Sequence, residues 1–249
     1  MHALKDKPSL SFCLAAYNEA GNVSEAVKEA VIAGREIGHD FEVLICDDGS
    51  TDNTEAILRE LALTYPEIRL FRHSQNRGII DTFETLYKNA SKDYCFINGT
   101  DRQVPMHAIE ILLPLLADCD IVVGQRQNKN YTMWRRIVSG LFNLIPVLFF
   151  RTQTFDAGTV KLWPRMLVQS QRCVSRSPFR EAERLIRAKR AGYQILPASI
   201  PHYPRTVGKE RGAKPSLVWK AALDVIRLWF DIMIFRRERF YRPHAENPR

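Results

Sequence analysis

Three polar clusters in the first half of the sequence carry side chains that suit a phosphorylated ligand and a cation. They are Tyr17-Asn18-Glu19, Asp47-Asp48-Gly49-Ser50 and Gly99-Thr100-Asp101-Arg102-Gln103. The carboxylates of Glu19, Asp47 and Asp48 would accept hydrogen bonds from ribose hydroxyl and base N–H groups, as an acidic residue does in dinucleotide sites. Asp101 and Gln103 offer the oxygen ligands that a hard divalent cation prefers when it bridges a diphosphate. Taken singly, each cluster also fits an ordinary polar turn.

The elements that precede these clusters alternate between short apolar segments and longer amphipathic ones. Predicted strands cover residues 9–16, 41–47, 68–73, 94–98 and 120–124, and predicted helices cover residues 22–38, 52–65, 78–89 and 105–116. Such alternation is typical of βαβ units, so we predict an α/β fold with a mostly parallel sheet. Because ligands bind beyond the carboxyl ends of parallel strands, the three clusters should meet at one edge of that sheet.

The pattern changes after residue 126. We predict a polar loop at 128–136, an apolar segment at 137–150, strands at 155–162 and 193–201, a helix at 178–191, a basic loop at 206–215 and a last helix at 217–235. The prediction is therefore one catalytic domain over residues 1–210, followed by a basic amphipathic helix and tail over residues 211–249.

Net charge and cysteine usage narrow the class of partner and the compartment. The 249 residues carry a formal net charge of +8, and the basic residues crowd the second half. This balance favours phosphorylated substrates or anionic lipid, and no nucleic-acid motif accompanies it. The five cysteines form no CxxC pair, and the N-terminal segment has no apolar signal core. Both features indicate buried, reduced thiols in a cytoplasmic protein.

The last predicted helix has a narrow charged stripe and a wide apolar surface. Lys220, Asp224, Arg227 and Asp231 fall on one side of a helix at about 100° per residue. Four charges argue against a bilayer span. The apolar surface must then be buried against the domain, a second copy of the chain or a membrane interface. The segment at 137–150 is too short to span a bilayer and suits shallow lipid contact.

Nine stretches together resemble a known family. They are FCLAAYNEAGNV, FEVLICDDGSTDNT, HSQNRG, GTDRQ, VVGQR, WRRIVSGLFN, FDAGTVKL, REAERLIRAKRAGYQI and PRTVGKERG. This set resembles the family 2 glycosyltransferases with the GT-A fold, and more closely the polyprenyl-phosphate glycosyltransferases of the dolichol-phosphate mannosyltransferase type. The resemblance spans residues 9–220. It implies a Rossmann-like domain, a nucleotide-sugar donor, Mg²⁺ or Mn²⁺, a lipid-phosphate acceptor and contact with the cytoplasmic face of a membrane.

The resemblance also implies roles for individual residues. The donor nucleotide would be held by Ala15, Tyr17, Glu19, Asp47, Asp48, Arg205 and Lys209. The metal ligands would be Asp101 and Gln103. The acceptor phosphate would be approached by Arg126, Arg136 and Ser139. The catalytic set would be Asp101, Arg126 and Asp156.

Two positions depart from the family pattern. Gly99 stands where the metal motif usually begins with an aspartate, and Ala15 replaces a frequent proline. With one carboxylate fewer, the metal would be held largely by Asp101 and the substrate diphosphate, as magnesium often is. A catalytically impaired pseudo-transferase that only binds or scaffolds is therefore an open alternative.

The nature of the acceptor decides which catalytic groups are needed. A phosphate monoester is already charged and nucleophilic near neutral pH, so it requires cations for positioning rather than a strong general base. Its direct attack would invert the anomeric configuration. A glycan hydroxyl, as in surface-polysaccharide synthesis, would instead need a carboxylate base, and Asp156 and Glu183 are the candidates. Each of these two also fits an ordinary structural role.

Overall fold

The computed structural model describes residues 7–127, 133–205 and 215–235, without the side chains of 134–138 and 215–217. Within these residues seven strands form one sheet in the order β3-β2-β1-β4-β6-β5-β7. The strands are β1 (Leu10–Ala16), β2 (Phe41–Asp47), β3 (Ile68–Arg72), β4 (Tyr94–Gly99), β5 (Ile121–Arg126), β6 (Lys161–Pro164) and β7 (Ile195–Ile200). Only β6 runs antiparallel to its neighbours in this sheet. The predicted α/β class and mostly parallel sheet are confirmed.

Helices cover both faces of the sheet. They are α1 (Val23–Ile37), α2 (Thr54–Thr64), α3 (Ile79–Asn89), α4 (Ile109–Leu112), α5 (Met133–Phe150), α6 (Arg165–Ser170), α7 (Arg180–Arg190) and α8 (Pro215–Trp229). Side chains alternate between the faces of β1, so Phe12 and Leu14 pack with α1, α2 and α4. Cys13 and Ala15 point to the other face and join the cluster that includes α3, α6 and α7. Burial on both faces explains why β1 is apolar except at Ser11, whose hydroxyl donates a hydrogen bond to Glu42 at 2.7 Å.

Several predictions about local structure are wrong, and each has a physical reason. The strand predicted at 155–162 is a loop up to β6, because Phe155 has a left-handed φ of 55° that breaks an extended backbone. The helix predicted at 105–116 is a short α4 between two 3₁₀ turns, and Pro114 has no N–H to continue it. The polar loop predicted at 128–136 is helical from Met133, where α5 begins.

Other sequence expectations are confirmed. All five cysteines are free thiols; Cys173 is partly exposed and the other four are buried. Gly49 has a φ of 69°, and a Cβ there would lie 2.5 Å from the backbone carbon of Gln75. Only glycine therefore fits this turn after the second acidic cluster. The predicted loop at 206–215 lies outside the described residues except for its last residue.

Helix α8 packs on the domain with two carboxylates facing inward. Asp224, which is 1% exposed, accepts hydrogen bonds from the backbone N–H groups of residues 176–177, both at 2.8 Å. Asp231, in the π-helical turn Phe230–Ile234 that continues α8, pairs with Arg187 at 2.6 Å. On the opposite side of the helix, Trp219 is 67% exposed. The two aspartates of the charged stripe thus anchor α8, whereas Lys220 and Arg227 are exposed and part of the apolar surface is left outside.

Helix α5 lies beside α8 and also exposes apolar side chains, although Phe142 packs its ring against Phe179. We call the shared exposed region the α5–α8 apolar surface. It comprises Met133, Leu141, Leu144, Val147, Leu148, Phe149, Trp219, Leu223, Ile226, Phe230, Ile234 and Phe235. Neither helix, nor any other in the described part of the chain, has the length and apolarity needed to cross a bilayer.

Candidate active site

The three polar clusters meet at one edge of the sheet, as predicted. Strand β1 lies between β2 and β4, so Ala16 is paired with Asp47 and Ala15 with Gly99. The loops that follow these strands therefore start side by side. The carbonyl oxygen of Ala15 accepts hydrogen bonds from both the backbone N–H and the hydroxyl of Thr100, each at 3.2 Å.

The first two loops are joined by hydrogen bonds. The Asn18 N–H donates to Ser50 Oγ at 2.9 Å, and the Thr51 N–H donates to Asn18 Oδ1 at 2.8 Å. The Glu19 N–H donates to Thr54 Oγ1 at 2.9 Å. Asn18 has a φ of 52°, which asparagine tolerates better than most residues. These hydrogen bonds fix the path of the loop that follows β1 and carries Tyr17 and Glu19.

The adjacent carboxylates Asp47 and Asp48 are buried and bonded within the protein. Asp48 accepts hydrogen bonds from the backbone amides of residues 77–78 at 2.9 and 2.8 Å, and His73 Nδ1 lies 2.7 Å from its Oδ1. Arg72 Nε donates to Asp47 at 3.1 Å. Both carboxylates therefore shape the loops around the cleft, and their direct contact with a nucleoside stays a prediction.

Arg205 joins the first and third clusters. Its guanidinium forms a close ion pair with Glu19 Oε1, and its Nη2 lies 3.6 Å from Asp101 Oδ2. The preceding segment is held in place because the Tyr203 N–H donates to the carbonyl of Gln103 at 2.8 Å. Arg205 and the segment before it thus contact Glu19, Asp101 and Gln103, although Arg205 is separated from Glu19 by 186 residues in the chain.

The loop around Asp101 fits a divalent cation in part. Asp101 remains partly exposed, and its Oδ1 accepts a hydrogen bond from the Gln103 N–H at 3.2 Å. Arg102 between them has a left-handed φ of 57°. A Cβ built at Gly99 would lie 3.6 Å from Asp101 Oδ1, so the family's usual aspartate would stand beside Asp101. One carboxylate and one amide, both hard oxygen ligands, are present here.

A second group with metal-ligand spacing lies away from this cleft. The ligand atoms of Glu36, His107 and Glu110 lie within 4.8 Å of one another. These side chains are well exposed, and His107 Nδ1 is 3.1 Å from Glu110 and 3.6 Å from Glu36. Ordinary surface ion pairs account for the arrangement.

A cavity of about 240 Å³ opens beside Asp101 and Gln103. Its polar lining is made by Asn98, Asp101, Gln103, Arg126, Thr159, Lys161, Glu181 and His202. Apolar side chains of Ile79, Ile80 and Phe83 line it from the start of α3. The volume is below the range of about 300–1,000 Å³ of drug-sized ligand sites, so it suits one sugar or phosphate group rather than a whole nucleotide sugar.

Arg126 and Asp156 form a two-bond ion pair at the wall of this cavity. Arg126 Nε and Nη2 donate to the two carboxylate oxygens of Asp156 at 2.8 and 2.7 Å. Asp156 is buried, and Arg126 lines the cavity. The carboxylate that the sequence offered as a base is therefore bound to a guanidinium through both of its oxygens, which fixes the plane of that guanidinium.

The remaining predicted site residues lie outside the cavity lining or outside the described atoms. Glu183 is fully buried, pairs with Arg187 at 2.7 Å and accepts the Val174 N–H, so it serves the structural role. Ser139 lies half-buried on α5 and is absent from the lining. The side chain of Arg136 and all of Lys209 are outside the described part of the structure.

Three titratable residues of the cavity lining were not among the sequence predictions: Lys161, Glu181 and His202. The sequence does mark Lys161 as unusual, because it is a single charged residue inside the apolar segment TVKLW. Glu181 is two residues from Glu183 and so lies on a different side of α7, which the sequence alone did not reveal. Nothing in the sequence marks His202 except that it lies three residues before Arg205.

Solved structures show which fold this site is built on. Glucosyl-3-phosphoglycerate synthase from Mycobacterium tuberculosis, in complex with Mn²⁺, UDP and phosphoglyceric acid, matches with a TM-score of 0.70 and 14% identity, over 89% of this chain and 78% of that one. Mannosyl-3-phosphoglycerate synthase from Rubrobacter xylanophilus matches with a TM-score of 0.66 and 14% identity, over 95% and 78%. The architecture is the GT-A fold of glycosyltransferases.

Sequence comparison gives the family. Residues 11–181, more than half of the chain, match the family model described as glycosyl transferase family 2, and the chain belongs to that family.

Two similar relatives share 27% identity with it. The dolichol-phosphate mannosyltransferase of Pyrococcus furiosus aligns over 52% of this chain and 38% of its own length. The undecaprenyl-phosphate 4-deoxy-4-formamido-L-arabinose transferase of Pectobacterium carotovorum aligns over 92% and 68%. The chain thus spans about two fifths and two thirds of these relatives.

Proposed function

We propose that this protein transfers a sugar from a nucleoside-diphosphate donor to a polyprenyl phosphate at a membrane surface, with inversion of the anomeric configuration. An oxygen of the acceptor phosphate attacks the anomeric carbon, the bond from that carbon to the β-phosphate oxygen breaks, and the nucleoside diphosphate leaves. Two relatives that carry polyprenyl phosphate in their names support this choice of acceptor.

The observation that carries the proposal is the chemistry of the cavity wall. Its lining carboxylates among the described residues are Asp101 and Glu181. Glu181 has one carboxylate oxygen 3.2 Å from Lys161 Nζ and the other 3.4 Å from Arg184 Nε, so each oxygen already faces a cation of the protein. Such a site suits an acceptor that is already an anion better than a hydroxyl that must lose a proton. Arg126 supplies a cation beside it.

The donor would lie along the cleft between Glu19 and Asp101. In this proposal Glu19 and Tyr17 would meet the nucleoside, and Arg205 would meet the phosphates once it leaves its carboxylate partners. Asp101 and Gln103 are the residues that would hold Mg²⁺ or Mn²⁺. When bound there, the cation would neutralise charge on the diphosphate leaving group. Its ligand set is one carboxylate short, so the donor diphosphate would complete it.

The α5–α8 apolar surface would bring this site to the lipid. Twelve of the eighteen exposed large apolar side chains in the described residues belong to it. Exposed apolar side chains concentrated on two neighbouring helices are typical of an interaction site, and Trp219 is a residue type common at lipid interfaces. The sequence that follows α8 is rich in arginine, which favours an anionic leaflet. We therefore propose peripheral contact with the cytoplasmic face of a membrane.

The test is a transfer assay with the full chain, Mn²⁺ and a panel of radiolabelled nucleotide sugars. The acceptors are undecaprenyl phosphate, undecaprenol (the same lipid without the phosphate) and a set of saccharides. We expect label in undecaprenyl phosphate alone, in a product of inverted anomeric configuration. Transfer only to a saccharide hydroxyl would replace this function with glycan extension, and transfer to undecaprenol would remove the role given to the acceptor charge.

A further inference from the structure

A buried lysine lies beneath the Arg126–Asp156 pair. Lys161 is 1% exposed and begins β6 in the middle of an apolar sheet. Its Nζ donates to the carbonyl oxygens of Ala157 and Thr159, both at 2.7 Å, and forms an ion pair with Glu181 at 3.2 Å. One ammonium group therefore joins the loop that carries Asp156 to the first turn of α7.

Stability alone does not account for this arrangement. Removing two charges from water is expensive, and apolar replacement of a buried ion pair is often neutral or stabilising. Burial lowers the pKa of Lys161, and the carboxylates of Glu181 and Asp156 act in the opposite direction. The ion pair of Lys161 with Glu181 is thus weak evidence for a stabilising role.

The loop that Lys161 holds would not keep its shape unaided. Phe155 has a left-handed φ of 55°, a conformation that costs a bulky residue free energy and persists only when its surroundings enforce it. The next residue is Asp156, whose carboxylate fixes Arg126 through two hydrogen bonds. The carbonyl groups of residues 157 and 159, bound to Lys161, lie directly after this strained point.

We propose that Lys161 is a positioning residue for transfer: by holding the loop at residues 155–159, it sets the orientation of the Arg126 guanidinium at the cavity wall. A guanidinium has five N–H donors, and Asp156 occupies two of them, so the orientation of the pair decides where the others point. A displacement of about 1 Å in such a group can cost about 100-fold in rate. This inference rests on the phosphate-binding role proposed for Arg126.

A double-mutant cycle tests the inference. The variants are Lys161→Met, Arg126→Ala and their combination, assayed for kcat/KM toward undecaprenyl phosphate. We expect a loss of about 10-fold for Lys161→Met, about 100-fold for Arg126→Ala, and no further loss in the double variant, because Lys161 acts through Arg126. Lys161→Arg, which keeps the charge, should recover part of the loss and should also be non-additive with Arg126→Ala if Lys161→Met does not fold.

Arg187→Met is the matched control, because it breaks a buried ion-pair group away from the cavity. Its effect on kcat/KM should combine independently with that of Arg126→Ala, whatever it does to thermal stability. Multiplicative losses for Lys161→Met and Arg126→Ala, or wild-type kinetics in both Lys161 variants, would overturn the inference. Wild-type kinetics in Arg126→Ala itself would instead remove the phosphate role on which the inference rests.

Discussion

The two halves of this protein distribute charged and apolar side chains in opposite ways. In the first half, the strands and the inner helix faces are apolar, and the acidic groups collect at the ends of β1, β2 and β4. In the second half, α7 buries Glu183, Arg184 and Arg187, whereas α5 and α8 leave large apolar side chains outside. The same chain therefore combines an ordinary water-soluble surface with a surface of reversed polarity.

This difference shows how two kinds of substrate would meet on one sheet. A water-soluble nucleotide sugar needs hydrogen-bonding loops at a strand edge, which the parallel half supplies. A lipid phosphate needs an apolar approach and a cationic end, which the α5–α8 apolar surface and Arg126 supply. In the second half, buried ion pairs on the inner faces of the helices attach them to the domain. The outer faces are then not needed for docking and can remain apolar.

The largest loss of activity is expected for Asp101, which lies where the first half approaches Arg205 of the second half. Asp101→Asn removes the carboxylate that would hold the cation, and we expect kcat to fall by at least about 100-fold. Asp118→Asn, an exposed aspartate after the helical turns that follow α4, is the matched control and should behave as wild type. Transfer kinetics within twofold of wild type in Asp101→Asn would refute the assignment.

The second prediction breaks the reversed polarity of α8. In the double variant Trp219→Glu, Phe230→Glu, the partition coefficient to anionic vesicles should fall at least about 10-fold. Each aromatic side chain that enters the membrane interface would contribute about 1.5–3 kcal/mol to the free energy of binding. Co-sedimentation with phosphatidylglycerol vesicles measures this. The control is Leu63→Glu, which changes an apolar residue that is 91% exposed in the first half. Equal vesicle binding by the two variants would remove the distinction between the halves.

The third prediction adds a carboxylate to the donor side. Gly99→Asp would place a second carboxylate beside Asp101, so the Mn²⁺ concentration for half-maximal binding, measured by calorimetry, should fall about 10-fold. Gly99→Asn has almost the same size without the charge and serves as the control. If both variants bind Mn²⁺ as the wild type does, the cation is held elsewhere.

The smallest effect concerns a buried carboxylate of the first half. Burial raises the pKa of Glu42, but hydrogen bonds from Ser11, Arg69 and Ser91 outweigh it and lower the pKa below its usual value. Glu42 therefore stabilises the fold above its unfolded pKa, and this contribution is lost as the pH falls through the folded pKa. We expect Glu42→Gln to cost only about 1 kcal/mol in urea unfolding at pH 7, because the amide oxygen can still accept part of these hydrogen bonds. The difference from wild type should shrink at pH 4; a constant difference would contradict this.

The sequence predicts the parallel half well because its central strands β1, β2 and β4 are largely apolar and each is followed by a polar cluster. It predicts less of the second half, where the decisive contacts join distant residues. The pairing of Arg205 with Glu19 and that of Arg126 with Asp156 depend on tertiary structure, and so does the inward orientation of Asp224. The left-handed backbone at Phe155 has no sequence signal, since bulky residues seldom adopt it.

The most direct test of the central claim is calorimetric titration of the full chain with UDP, GDP and CDP, with and without Mn²⁺. If Glu19, Asp101 and Gln103 border one donor cleft, at least one nucleoside diphosphate should bind, more tightly with Mn²⁺. Both Glu19→Gln and Asp101→Asn should weaken that binding. Failure of all three to bind the wild-type protein under either condition would contradict the account and favour a scaffolding role.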